Sequence, residues 1–376
     1  MSYPPDDPKS RFIAVYAEGD PGNGIFRYDL KSPADRVFAF DCSSRGSRNG
    51  LVLYRPGGGA IFVLEYTGKD QDGRLIFSPV YATGDPGIGI CGYDLKSPAD
   101  RVFAFDCDSS GKLDGLVLYR PGRGAIFVLQ NKGKDPNGHL AFDAVYAQGD
   151  PGIGICGYDL LSPADRVFAF DIESSGKLDD LVLYRPGAGT FCMLRRIGDG
   201  QFEWWKPTPL VRGISGYDLM SPADRVFAFD EEGDGKLDDL VCYRPGAGTV
   251  WILRRMGNGQ FEPRLQPVYG MGGIGCYDFL SPADRVFAFD EEGSGKLDDL
   301  VCYRPGAGKI CIAQRTEECR FNPVYNEGDA GNGIGGYDLK SPADRAFAFD
   351  CEGSGKLDDL VLYRPGGGAI FILQKR

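Results

Sequence analysis

The residues best placed for chemistry form an acidic turn. In Asp230-Glu-Glu-Gly-Asp234-Gly-Lys-Leu-Asp238, side-chain oxygens occupy positions 1, 3, 5 and 9 and glycine occupies position 6. A hard cation such as calcium takes several oxygen ligands around a tight loop of this kind, and the Lys236 carbonyl would complete the set. The candidate ligands are Asp230, Glu232, Asp234 and Asp238, with Asp106, Asp108 and Asp114 in an equivalent turn. Related turns begin at Asp171, Asp290 and Asp350, each with serine at position 5. The first copy reads Asp41, Ser43, Arg45, Asn49, and a guanidinium at position 5 excludes a cation there. The competing reading is six plain hairpin turns in which Lys236 and its counterparts neutralise the aspartates. Calcium is thus a candidate and no cofactor is required.

Three further motifs carry polar groups. Ser-Pro-Ala-Asp-Arg supplies the pairs Asp35-Arg36, Asp100-Arg101, Asp165-Arg166, Asp224-Arg225, Asp284-Arg285 and Asp344-Arg345. Serine as cap, proline next and aspartate three residues after the cap make a capping-box-like turn, which accounts for the aspartate. The arginine is not needed by the cap; it can tie blade to blade or line a pocket. Tyr-Arg-Pro-Gly adds Arg55, Arg120, Arg185, Arg244, Arg304 and Arg364, planar donor forks where the chain leaves a strand at a Pro-Gly turn. A glycine-rich loop, as in Asp85-Pro-Gly-Ile-Gly-Ile-Cys-Gly-Tyr93, leads to Tyr93, Tyr158, Tyr217, Tyr277 and Tyr337. It has parallels at Asp20, Asp150 and Asp329, but shorter copies at Val211 and Gly270 lack the aspartate. No Gly-Lys-Ser/Thr follows, so a nucleotide loop is a weak reading; glycines would let backbone donors approach a ligand.

What must position these groups is a repeat. Ser-Pro-Ala-Asp-Arg begins at Ser32, Ser97, Ser162, Ser221, Ser281 and Ser341, giving six units of 59 to 65 residues. Each holds four short apolar runs, in the first unit 37–40, 51–54, 60–64 and 78–81, bounded by Gly, Pro, Asp or Asn. Such runs read as strands, and four per unit of this length make a propeller blade rather than the shorter coil of a β-solenoid. The last unit stops after its third run, Ala369–Leu373, while the chain opens with an orphan run, Phe12–Tyr16, that matches a fourth. The expected fold is all-β: one six-bladed β-propeller with four antiparallel strands per blade, the N-terminal strand closing the last blade. The blades span approximately 30–84, 95–149, 160–212, 219–271, 279–328, and 339–376 plus 11–19.

Composition narrows the function. With 42 basic and 53 acidic side chains the net charge is −11, which argues against nucleic acid and anionic membrane surfaces as partners. No apolar stretch is long enough for a membrane helix, and the start lacks the features of a signal peptide, so membrane insertion is not expected and the expected location is cytoplasmic, with release on cell damage a further expectation. Eleven cysteines and no Asn-x-Ser/Thr sequon suit a reducing compartment, with cysteines acting as small buried hydrophobes. Trp204 and Trp205 are adjacent on a strand, so one could offer a sugar-stacking face, whereas Trp251 reads as core and the single histidine, His139, as a solvated loop residue. Catalysis needs one asymmetric constellation, and the polar residues here recur six times, so the expected protein is a binder and not an enzyme. Several weak sites on one rigid ring suit a multivalent glycan surface; the alternative is a propeller that binds a peptide on its central face.

The acidic turn resembles the calcium loops of FG-GAP repeats. Together, six blades carrying that turn and glycine-rich inter-blade loops resemble the fungal (mushroom) propeller lectins of the Psathyrella velutina lectin type, above all their six-bladed, N-acetylglucosamine-binding branch. The resemblance covers the whole chain. It implies sugar pockets between adjacent blades that recognise terminal N-acetylglucosamine or a similar sugar on glycoproteins or cell surfaces, and calcium in some blades. The implied pocket residues are the Asp-Arg of each Ser-Pro-Ala-Asp-Arg, the tyrosines from Tyr93 to Tyr337 and the arginines of Tyr-Arg-Pro-Gly, all numbered above. Where that family has a His-Pro-Arg stretch, this chain has Ser-Pro-Ala-Asp-Arg.

Overall fold

The short β-branched and aromatic runs form strands, each ended by residues that turn. In a computed structural model, which describes residues 11–205, 212–265, 273–316 and 320–376, they make six four-stranded antiparallel sheets. The first blade holds β2 (Arg36–Phe40), β3 (Gly50–Arg55), β4 (Ala60–Lys69) and β5 (Leu75–Thr83), paired in sequence order. The same order repeats from β6 (Arg101–Phe105), β10 (Arg166–Phe170), β14 (Arg225–Phe229) and β18 (Arg285–Phe289). In the last blade β22 (Arg345–Phe349), β23 (Asp359–Arg364) and β24 (Ala369–Lys375) are completed by β1 (Phe12–Glu18), which pairs with β24 from Phe12↔Lys375 to Glu18↔Ile370. The closure expected from the orphan run is therefore present, and it covers an edge that would otherwise offer unpaired backbone groups.

The first strands are innermost: each touches the first strands of both neighbouring blades, β22 meeting β2 to close the ring. The second strands are apolar without alternation because both of their faces are covered. Leu51, Val52 and Leu53 are all fully buried, each stabilising the fold by about 1.5–3 kcal/mol relative to exposure. The core therefore lies between blades. One cluster joins Phe40, Val52 and Tyr54 of the first blade to Val102, Leu116 and Leu118 of the second.

A polar tie accompanies each apolar seam. The Tyr54 hydroxyl at the end of β3 accepts the amide of Val102 in the next blade at 3.2 Å, and Tyr119, Tyr184, Tyr303 and Tyr363 do the same for their neighbours. The ten described cysteines are all free, and seven are buried, as expected of small hydrophobes. Trp204, Trp205 and Trp251 are half-buried; the Trp205 ring lies under the Arg195 guanidinium and Trp251 packs edge-on against Tyr217. His139 is exposed. No helix of the described residues is long and apolar enough to cross a membrane.

Candidate functional site

The Ser-Pro-Ala-Asp turn closes as its sequence requires. Ser32 Oγ accepts the amide of Ala34 at 3.2 Å, and Asp35 Oδ2 accepts the amide of Ser32 at 2.9 Å. Asp35 is 0% exposed, and the cap is only part of its role. Its Oδ1 accepts the Tyr28 hydroxyl at 2.8 Å and Arg55 Nε at 2.8 Å, while Arg55 Nη2 reaches Oδ2 at 3.0 Å. Burial, then the Asp35 carboxylate, pushes the Tyr28 phenol far up, and the hydrogen bonds to Asp35 raise the Arg55 guanidinium. The arrangement recurs at Asp100, Asp165, Asp224, Asp284 and Asp344, each essentially buried.

The outer end of the same guanidinium faces the junction between blades. Arg55 Nη2 also donates to Asp29 Oδ1 at 2.5 Å and Nη1 donates to Asp85 Oδ2 at 2.6 Å, with the guanidinium carbon 5.5 Å from the Tyr28 ring centre. One cation thus gathers carboxylates from its own blade, from the loop before it and from the loop after it. Burial works against the charge on Asp29, but the Lys31 amide and Arg55 hold its carboxyl below the usual range. Arg120, Arg304 and Arg364 find the third carboxylate in Asp150, Asp329 and Asp20. Arg185 and Arg244 find none among the described residues, and their side chains are 25% and 26% exposed against 8–15% for the other four. Val211, Gly270 and Met271, in the shorter loops there, lie outside the described residues. In the fifth blade Lys309 adds a second cation, 2.9 Å from Asp278, whose carboxyl is drawn down to about 2: burial opposes this, and the Leu280 amide, Lys309 and Arg304 outweigh it.

The glycines of the inter-blade loop approach the chain itself. Gly87 and Gly89 donate to the carbonyls of Gly58 and Gly59, each at 2.9 Å, and a Cβ on Gly87 would lie 2.1 Å from the Gly59 oxygen. The loop is thereby pinned on the Pro-Gly turn of the preceding blade, leaving Ile88 and Ile153 at its crest 77% and 75% exposed.

The structure therefore separates the residues that the sequence groups together. The six Asp of Ser-Pro-Ala-Asp-Arg and Tyr93, Tyr158, Tyr217, Tyr277 and Tyr337 lie buried beneath the junctions, and the arginines from Arg55 to Arg364 link them to the surface. The solvent-facing polar groups are Asp29, Asp94, Asp159, Asp218, Asp278 and Asp338, with Asp85 and its counterparts. Sequence reasoning passed over the first six although each directly follows the tyrosine of its motif. Arg36, Arg101, Arg166, Arg225, Arg285 and Arg345 point elsewhere, at the starts of the innermost strands.

At the opposite end of β2 and its counterparts lie the acidic turns. Asp230 accepts the amides of Asp234 at 3.0 Å and Gly235 at 2.7 Å; Asp106 likewise accepts Ser110 and Gly111. The other carboxylates are also engaged: Asp234 with Lys236 at 2.5 Å, Glu232 with Arg254, Asp238 with the Ser174 hydroxyl of the preceding blade, Asp108 with the Ser110 amide. Burial, offset by Ser44, raises the Asp114 carboxyl. No group of three or more His, Cys, Asp or Glu side chains among the described residues is arranged to hold an ion. A calcium ion would have to displace these partners. A second aspartate follows the turn in four copies but not in the first two, where Gly50 and Gly115 stand: Asp180, Asp239 and Asp299 are buried, accept two backbone amides each, and burial pushes their carboxyls up to about 7.

No family model matches the chain, and no curated protein matches it. Among solved structures, a lectin of Agrocybe aegerita that specifically recognises non-reducing terminal N-acetylglucosamine is similar in fold: TM-score 0.53 and 20% identity, over 91% of this chain and 79% of that one. An α-L-arabinofuranosidase of Fusarium graminearum is 10% identical over 97% of this chain and 98% of its own, with TM-score 0.42. A periplasmic gluconolactonase of Pseudomonas aeruginosa is 12% identical over 77% and 70%, with TM-score 0.38. These neighbours correct the expectation that the chain is not an enzyme: propellers of this general form include catalysts, and six-fold repetition of polar residues does not exclude an active site. At 20% identity this likeness shows the propeller fold alone, and it does not extend to the Psathyrella velutina assignment. The chain is a six-bladed β-propeller whose fold is similar to that of a lectin.

Proposed function

We propose that the protein binds glycans ending in N-acetylglucosamine or a similar sugar, multivalently, at the junctions between blades. One observation carries this reading. Arg120 clamps Asp94 at 2.5 Å and Asp150 at 2.6 Å, so two carboxylates stand fixed at one junction with the exposed Ile153 three residues beyond the second. Fixed carboxylates accept sugar hydroxyls without losing side-chain freedom on binding, and an apolar side chain beside them suits an acetamide methyl. The fold likeness to a lectin for that sugar points the same way. Repetition around the ring makes later contacts with a glycoprotein or cell surface effectively intramolecular, so weak sites add up to firm attachment.

The test is a glycan array followed by calorimetry with N-acetylglucosamine. Binding is expected, with Asp94→Asn and Asp150→Asn together weakening it. No signal across terminal N-acetylglucosamine, fucose and sialylated structures overturns the proposal.

A further inference from the structure

The arginines that follow Ser-Pro-Ala-Asp form a ring around the propeller axis. Each begins an innermost strand, and these strands are neighbours all the way round. The charges sense one another: burial, then the guanidinium of Arg345 on one side and that of Arg101 on the other, lowers the pKa of Arg36. The strand-end tyrosines trace the same circle. Tyr54 lies beside Arg101 and Arg36, Tyr184 beside Arg225 and Arg166, and Tyr303 beside Arg285 and Arg345.

No carboxylate among the described residues balances this ring. The aspartate preceding each arginine is taken up by the Tyr-Arg-Pro-Gly arginine, as Asp35 is by Arg55 and Asp344 by Arg364. Arg36, Arg101, Arg166 and Arg225 turn Nη1 onto backbone carbonyls of their own turn, Arg36 onto Ala34 at 2.7 Å and Asp35 at 2.9 Å. Among the described residues Arg285 and Arg345 show no such bond, and the Nε of each is buried without a hydrogen-bond partner there. Elsewhere in this acidic chain the inner arginines, Arg55 and its counterparts, are each matched to at least two carboxylates. Here six guanidiniums stand at the starts of adjacent strands around one axis, and Arg36 lies under the influence of its neighbours on both sides. Their repulsion and their unused donors are both relieved by an anion on the axis, and the fork of arginine matches a tetrahedral oxyanion with paired hydrogen bonds.

The far end of the axis repeats the sign of the charge. A cavity of about 100 Å³ there is lined by Leu113, Leu178, Leu237 and Leu297, and Arg48 stands in the place of a fifth leucine. Burial lowers the Arg48 guanidinium to about 10.

We propose that the arginine ring around the propeller axis binds one small multivalent oxyanion of the phosphate or sulfate class per molecule. The site is distinct from the inter-blade junctions, and its stoichiometry separates the two: one per chain on the axis, several at the junctions. The net charge of −11 argues against an extended polyanion but not against a small one, because a local ring of like charges acts at short range while distant surface charges are screened.

Calorimetric titration with pyrophosphate, and with sulfate in a parallel arm, at constant ionic strength is the test. One site per chain is expected. Arg285→Gln with Arg345→Gln, which removes the two arginines whose Nε has no partner, is expected to weaken pyrophosphate binding at least tenfold, while Lys69→Gln with Lys132→Gln, the same charge change away from the axis, leaves it unchanged. Should the arginine variant fail to fold, phenylglyoxal modification of the unaltered protein serves: pyrophosphate is expected to protect Arg285 and Arg345, read by peptide mass spectrometry. Absence of binding, equal binding by the arginine variant, a stoichiometry near six, or no protection overturns the proposal.

Discussion

Arg120 holds Asp100 with two nitrogens, Nε at 2.7 Å from Oδ1 and Nη2 at 2.9 Å from Oδ2, and Asp100 is fully buried. The pair sits under a junction between blades, and the guanidinium's remaining donors hold the exposed Asp94 and Asp150. The geometry that fixes the surface carboxylates is therefore the geometry that neutralises a buried charge. Stability and the candidate binding surface are coupled through one side chain.

Arg120→Ala leaves Asp100 charged and unpaired in the interior. Breaking a buried pair from one side costs about 3–5 kcal/mol. Denaturant unfolding is expected to show a loss of that size, and a loss under 1 kcal/mol would show that the pair is not needed. Arg185→Ala, whose guanidinium is more exposed and holds two carboxylates among the described residues, is expected to cost less.

Tyr54→Phe removes the acceptor of the Val102 amide and nothing else of size. An unsatisfied buried donor costs about 1–3 kcal/mol. A lower unfolding midpoint and faster hydrogen exchange of the Val102 amide are expected; unchanged exchange would refute the tie.

The pH dependence of stability follows from the buried aspartates. Burial raises Asp180, Asp239 and Asp299 to about 7 and Asp359 to about 6, from an ordinary value of 3.8. The folded protein keeps these protons between about pH 4 and 7 where the unfolded chain has released them, so their contribution is present at low pH and is lost as pH rises through that window. Asp278 is lowered to about 2 and Asp29, Asp94 and Asp338 are also lowered, so their contribution is lost as pH falls below 3.8. The denaturant midpoint is expected to peak near pH 4, roughly the ordinary aspartate value, where the two trends cancel. A midpoint higher at pH 7.5 than at pH 5 contradicts the assignment.

Calcium would have to compete with partners already in place at the acidic turn: two amides on Asp230, Lys236 on Asp234, Arg254 on Glu232 and Ser174 on Asp238. Melting in EDTA and in excess calcium is expected to give the same midpoint within about a degree. A rise with calcium that Asp230→Asn abolishes would assign the turn to the ion.

Much of the scaffold is legible in the sequence because it is local. Strand runs, their Pro-Gly and Asp-Gly boundaries, and the Ser32 to Asp35 cap are set by residues within a few positions of each other, and the hydrogen bonds they imply are the ones observed. The candidate site is legible only in part. The tyrosine and arginine of the junction stand in conspicuous motifs, yet Asp29 and its counterparts, which face solvent, sit unremarked in the same motif, and Asp180, Asp239 and Asp299 look like a second copy of the turn's own aspartate.

Repetition with a spacing of about sixty residues determined the blade, the number of blades and the strand that closes the ring, because each unit can bury its apolar faces only against another copy. Which aspartate meets which arginine was decided by the tertiary structure alone. Asp35, Asp29 and Asp85 lie 20, 26 and 30 positions from Arg55, and the chain holds six candidates of each of the first two kinds and four of the third. Only the closure of the blades about an axis selects among them. The same closure turns the six arginines from Arg36 to Arg345 into one ring of charge, a relation between distant copies that no single copy of the motif contains.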